Sequence, residues 1–127
     1  MTLAKQPTIL LIDDEREHLT LQALILKEAG YRPVTVVVGA EMLSLPDHEA
    51  PSLIFLDYRL NSFINCVQVA QLLRQTFRHT PIVLLSSMLE MPPEMAPFVD
   101  SFLKKGNPED LVAAARKMIG GNGQGPE

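Results

Sequence analysis

Much that would mark a special environment is missing from this chain. One cysteine, Cys66, stands among 127 residues, so no disulfide can close within it. That suits a reducing compartment. Cys66 falls in an apolar run at helical spacing, where a buried structural thiol fits better than a reactive one. No segment reaches the ~18–20 apolar residues of a membrane span, and Met1 to Pro7 holds no apolar stretch with a cleavage site. The expectation is a cytoplasmic chain with no membrane contact. Positive charge is not in excess: 11 Lys and Arg against 15 Asp and Glu leave a net charge of −4. That balance gives no electrostatic footprint for direct nucleic-acid binding. His18, His48 and His79 lack metal-ligand spacing and read as ordinary surface or packing residues. Repeats are absent, and the biased segment is the Gly-rich end, 120–127, expected to be a flexible tail.

What is present is an ordinary globular mix, 46% hydrophobic and 20% charged, at a length that fits one domain over residues 1–119. Short apolar runs alternate with helical patterns. Thr8 to Ile12 reads as a strand buried on both faces, stopping at Asp13 and Asp14. A helix follows from about Glu15, with Leu21, Leu24, Ile25 and Ala29 on one face and Gly30 at its end. Pro33 to Val38 is a second strand, and Gly39 to Leu45 a short helix. Ser52 to Leu56 is a third strand, running into Asp57. After a loop from Asn61 to Asn65, Cys66, Val69, Ala70, Leu73 and Phe77 recur at helical spacing. Pro81 to Leu85 and Val99 to Leu103 are the fourth and fifth strands. Pro108 opens a last helix, with Leu111, Val112, Ala115, Met118 and Ile119 as its stripe. Five strand–helix alternations mean an α/β fold, a parallel sheet with helices on both faces.

Chemistry in such a sheet collects beyond the carboxyl ends of the strands. Here those ends carry Asp13, Asp14, Asp57, Ser86 and Lys105. Converging carboxylates repel unless a cation joins them, and hard oxygen donors favour Mg²⁺. The metal and Lys105 would offset the charge of a phosphoryl group, and a carboxylate can attack phosphorus to give an acyl phosphate. Read singly, each residue has a plainer use. Asp13 or Asp14 could cap the first helix, Asp57 could form a turn, Lys105 could be a surface lysine like Lys104, and Phe102 could be core.

The ordered set, with ILLIDDE at 9–15, LIFLDYRL at 53–60, PIVLLS at 81–86 and FLKK at 102–105, resembles the receiver domains of response regulators over about residues 8–119. The resemblance implies a flavodoxin-like, CheY-like doubly wound sheet of five parallel strands in the order 2-1-3-4-5. It implies that Asp57 is the phosphoacceptor, charged by a histidine kinase or phosphotransfer protein. It implies Mg²⁺ held by Asp14, Asp57 and the backbone carbonyl of Arg59, with Asp13 acting through water. Lys105 pairs with the phosphoryl group, Ser86 moves toward it, and Phe102 is the aromatic that turns inward. Arg59 and Met88 match positions that tune the lifetime of the phosphoryl group. Both are bulky, so a long-lived aspartyl phosphate is expected. The chain should catalyse only its own phosphorylation and slow dephosphorylation. The output partner is a downstream protein or a further domain, and a homodimer is compatible.

Three departures from the family pattern stand out. Gly106 follows Lys105 where many receivers have proline, so a trans bond and a looser loop are expected. Asn61 and Asn65 replace the usual Pro and Gly, and Asn tolerates a left-handed backbone. Pro92, Pro93 and Pro97 crowd the segment between the fourth and fifth strands, so its helix should be short or displaced, starting at Pro92 or Pro93. Met88, Met91 and Met95 there could line an adaptable binding surface or fill core gaps. A phosphorelay intermediate and an unphosphorylated interaction module use the same fold. A phosphatase would need a second carboxylate where Arg59 stands.

Overall fold

The computed structural model describes residues 6–38, 50–60 and 65–120. Five strands form one parallel sheet: β1 (Thr8–Asp13), β2 (Arg32–Val37), β3 (Leu53–Asp57), β4 (Ile82–Ser86) and β5 (Ser101–Lys104), in the order β2-β1-β3-β4-β5. The reason is in the runs themselves. Side chains alternate across a strand, and in β1 both sets are apolar. Ile9 and Leu11 enter the core on one face and Leu10 and Ile12 the core on the other. β3 and β4 do the same, so the three central strands are covered on both sides. No described helix is long and apolar enough to cross a membrane.

Helix α1 (Arg16–Glu28) covers one face together with α3 (Pro108–Ala115). The buried face of α1 runs through Leu19, Ala23 and Leu26, not through Leu21 and Leu24 as the sequence led us to expect. Those two leucines are 54% and 53% exposed. A triplet spaced i, i+4, i+7 is an equally good helical stripe, and the sheet selects it. α1 ends as predicted at Gly30, whose φ of +102° is a backbone that glycine adopts without strain. The Gly30 N–H donates to Lys27 and the Tyr31 N–H to Leu26, the paired bonds of a Schellman motif.

The opposite face is packed by α2 (Cys66–Thr76) through Cys66, Val69, Ala70 and Leu73, the face read from the sequence. Asn65 does not take a left-handed backbone. It is the N-cap, its side chain accepting from the Gln68 N–H at 2.9 Å while the Gln68 side chain accepts from the Asn65 N–H at 3.0 Å. This reciprocal box satisfies two donors that a bare helix start leaves open. The expected helix over 39–45, Asn61 and the tail over 121–127 lie outside the described residues.

Between β4 and β5 the prolines act as predicted. A single 3₁₀ turn, Pro93–Met95, with Pro92 before it, stands where a helix would. Three devices hold it. Met95 is fully buried, with Val99 and the partly buried Phe98 and Phe102 around it. Arg74 at the end of α2 donates to the carbonyls of Thr80 and Phe98 and to Asp100, at 3.0, 2.8 and 2.8 Å. Asp100 in turn accepts from the Ile82 N–H. The Tyr58 hydroxyl donates to Glu94, tying this turn to the residue after β3.

Candidate functional site

Asp13 and Asp57 are the last residues of β1 and β3, and Ser86 is the last of β4. The parallel register brings these ends to one edge, with Asp57 beside Leu85 and Ser86 beside Lys104. Asp13, Asp14 and Asp57 each offer a carboxylate oxygen within 4.8 Å of the others. Asp13 and Asp57 are 1% and 2% exposed, so the cluster is sunk into the sheet edge.

Burial pushes the Asp57 carboxyl up to about 6; Lys105 pulls against that, and Asp13 and Asp14 push with it. Burial also raises the Asp13 carboxyl, against the pull of its backbone donors and His18. Both shifts have the same root, since removing a carboxylate from water disfavours its charged form. The Lys105 ammonium forms an ion pair with Asp57 Oδ1. That oxygen is otherwise buried without a hydrogen bond of regular geometry. Lys105, not Lys104, reaches the cluster: its own N–H donates to the Ser86 carbonyl at 2.8 Å, while Lys104 is exposed at the strand end.

Ser86 is buried, and its Oγ accepts from the Met88 N–H at 3.0 Å. The hydroxyl is thus engaged by its own loop. Phe102 lies in the middle of β5, paired with Leu84, and packs on the α2 side of the core. Arg59 and Met88 are both exposed at the rim. The Lys105–Gly106 bond is trans, as expected, and Gly106 has φ +155°, which proline cannot adopt. Asn107 then caps α3 by accepting from the Glu109 N–H.

Asp13 combines two uses that the sequence offered as alternatives, and His18 has more to do than the sequence indicated. Asp13 joins the cluster and also closes the turn into α1, its Oδ1 accepting from the N–H groups of Asp14 and Glu15 at 2.7 and 3.2 Å. His18, read as an ordinary surface residue, places Nδ1 3.2 Å from Asp13 Oδ2 and Nε2 3.1 Å from a Glu15 oxygen. A signal existed: Glu15 and His18 are three apart at the start of a helix, the spacing at which side chains meet. Cys66 is the buried structural thiol expected. Its Sγ donates to the Asp57 carbonyl at 3.4 Å, and burial pushes the thiol up to about 12.

Known proteins resemble this chain in sequence and in shape. A regulator of Bacillus subtilis, the alkaline phosphatase synthesis transcriptional regulatory protein PhoP, is 35% identical over 79 residues, which is 62% of this chain. The match spans about a third of that relative's length. The chemotaxis protein CheY4 of Vibrio cholerae superposes with a TM-score of 0.78 at 22% identity, over 91% of this chain and all of that one. NtrX of Brucella abortus gives 0.77 at 22% identity, over 92% of this chain and 28% of its own. Both are likenesses of fold. The response regulator receiver domain family matches residues 9–116, from the first strand past the last helix of the sheet's cover. With that match through the whole sheet, the chain belongs to the receiver domains of two-component response regulators.

Proposed function

We propose that the chain is a switch worked by Mg²⁺-dependent phosphorylation of Asp57. The observation that carries this reading is the buried Asp57 carboxylate, flanked by two more carboxylates and facing one ammonium. An Asp57 oxygen attacks phosphorus as the P–N bond of a phosphohistidine breaks, and the donor imidazole departs. The donor is a sensor kinase or phosphotransfer protein. The donor set fits a hard dication: Asp14, Asp57 and the Arg59 carbonyl would hold Mg²⁺, with Asp13 through water. When bound, it supplies positive charge to the phosphoryl oxygens. Lys105 passes from the Asp57 oxygen to a phosphoryl oxygen. Ser86 leaves the Met88 N–H to donate its hydroxyl to the phosphoryl group, and Phe102 turns into the space that opens.

The product is a change of shape read by a downstream protein, an attached domain or a second copy, in the cytoplasm and without direct nucleic-acid contact. The chain turns over no separate substrate. Arg59 and Met88 screen the acyl phosphate from water, so Arg59→Asn and Met88→Glu each speed dephosphorylation, measured by loss of the phosphorylated mass with time. If neither does, the screening role is wrong. The switch itself is tested with beryllofluoride, which mimics the phosphoryl group. Mg²⁺ and beryllofluoride together give a bound ¹⁹F signal in the parent and none in Asp57→Asn. A parent that binds neither would overturn the reading.

A further inference from the structure

The residue of this cluster left without a role is His18, and its surroundings give it one. Asp13 is a carboxylate almost wholly removed from water. Such a group keeps its charge and its orientation only if donors meet it. One oxygen, Oδ1, is met by the backbone N–H groups of Asp14 and Glu15. The other, Oδ2, is met from the first turn of α1 by His18 Nδ1. The ring is itself held from the far side, where Nε2 faces the Glu15 carboxylate. An imidazole between two carboxylates has little freedom to swing away. The backbone donors hold one oxygen only and leave the carboxylate plane free to tilt about the Cβ–Cγ bond; His18, holding the second oxygen, removes that freedom.

We propose that His18 is a positioning residue for the metal-binding cluster: held between Asp13 and Glu15, it fixes the Asp13 carboxylate in the orientation from which it serves the cation. This rests on the reading of the cluster as a Mg²⁺ site. His18 touches neither the phosphoryl group nor Asp57; it acts through Asp13. It is half-exposed on the surface of α1, so replacing it does not disturb the core.

The test is Mg²⁺ affinity in the intact chain, followed by the ¹⁵N–¹H shifts of Asp14 and Glu15, whose N–H groups donate to Asp13. Three proteins are compared: the parent, His18→Leu, which fills similar space without a donor, and His18→Asn, whose amide N–H stands near the place of Nδ1. Melting temperature is followed in parallel. The expected result is a dissociation constant for Mg²⁺ raised about three- to tenfold in His18→Leu and largely restored in His18→Asn, with melting unchanged without metal. Unchanged affinity in His18→Leu overturns the proposal. So does tighter binding, which would mean that His18 competes with the cation for Asp13. Loss of affinity together with loss of melting temperature in both variants would also overturn it, as a merely structural role. A parent that binds no Mg²⁺ removes the metal-site reading and this inference with it. A parent that binds, with variants that match it, removes this inference alone.

Discussion

The two faces of the sheet are covered by different means. On one, α1 and α3 lay apolar stripes over Ile9, Leu11, Phe55, Val83 and Leu85. On the other, α2 covers the centre, and the β4–β5 end is closed, among the described residues, by a 3₁₀ turn, one buried methionine and an arginine clamp. The first arrangement is distributed, so no single side chain decides it. The second is concentrated in Met95 and Arg74. The clustered carboxylates and Ser86 stand at the ends of β1, β3 and β4, with Lys105 just past β5, and they are positioned by the register of the sheet. The carboxylate cluster and the shape of the β4–β5 cover are therefore expected to be separable, and of the three departures from the family pattern the proline-rich segment is the one that falls in the cover.

The largest effect expected on stability is at Met95. Met95→Ala leaves a cavity and costs about 3 kcal/mol, read as a lower denaturant midpoint. The folded variant still takes up beryllofluoride at Asp57. If it folds but takes up none, chemistry and cover are not separable. Arg74→Met comes next: it keeps the stem but loses the donors to the carbonyls of Arg78, Thr80 and Phe98 and to Asp100, at a cost of about 2 kcal/mol. Amide exchange should quicken first at the Ile82 and Asp100 N–H groups. Even loss of protection across all five strands would show instead that the clamp supports the whole fold.

A smaller effect lies in the site itself. Folding raises the Asp57 carboxyl from an ordinary value of 3.8 to about 6. The folded state therefore binds the proton more tightly than the unfolded state. Without Mg²⁺, stability is greatest below about pH 4 as far as Asp57 is concerned, falls as pH rises toward 6, and stays low above it. Asp57→Asn removes this dependence. At pH 7.5 it should be more stable than the parent, by less than the about 3 kcal/mol of the full shift because the Asn amide is itself buried, and the gain should vanish near pH 4 or on adding Mg²⁺ to the parent. A variant no more stable than the parent at pH 7.5 would mean that Lys105 offsets the whole cost of burying Asp57.

The legible parts of this molecule are those fixed by local pattern. Continuous apolar runs ending in Asp13, Asp57 and Ser86 gave the strands and the reactive edge, because a parallel sheet puts those ends together. Prolines at 92, 93 and 97 gave the missing helix for the same reason, since proline acts through its own backbone. The α2 stripe was also plain. α1 was misread because Leu21 and Leu24 are as apolar as Leu19 and Leu26; only packing on the sheet ranks the two faces. The Arg74 clamp joins residues 24 and 26 apart and leaves no periodic trace. Asn65 was read for its backbone tolerance, although Asn65 and Gln68 have the spacing of a capping box. His18 was set aside because it lacks metal-ligand spacing, whereas its contact is with a carboxylate of the cluster.

The most direct test of the central claim is intact mass after treatment with acetyl phosphate and Mg²⁺, on the parent and Asp57→Asn. The account predicts the gain of one phosphoryl group in the parent, lost when Mg²⁺ is chelated and absent from Asp57→Asn. A parent that stays unmodified, or an Asp57→Asn variant that gains the same mass, would contradict it.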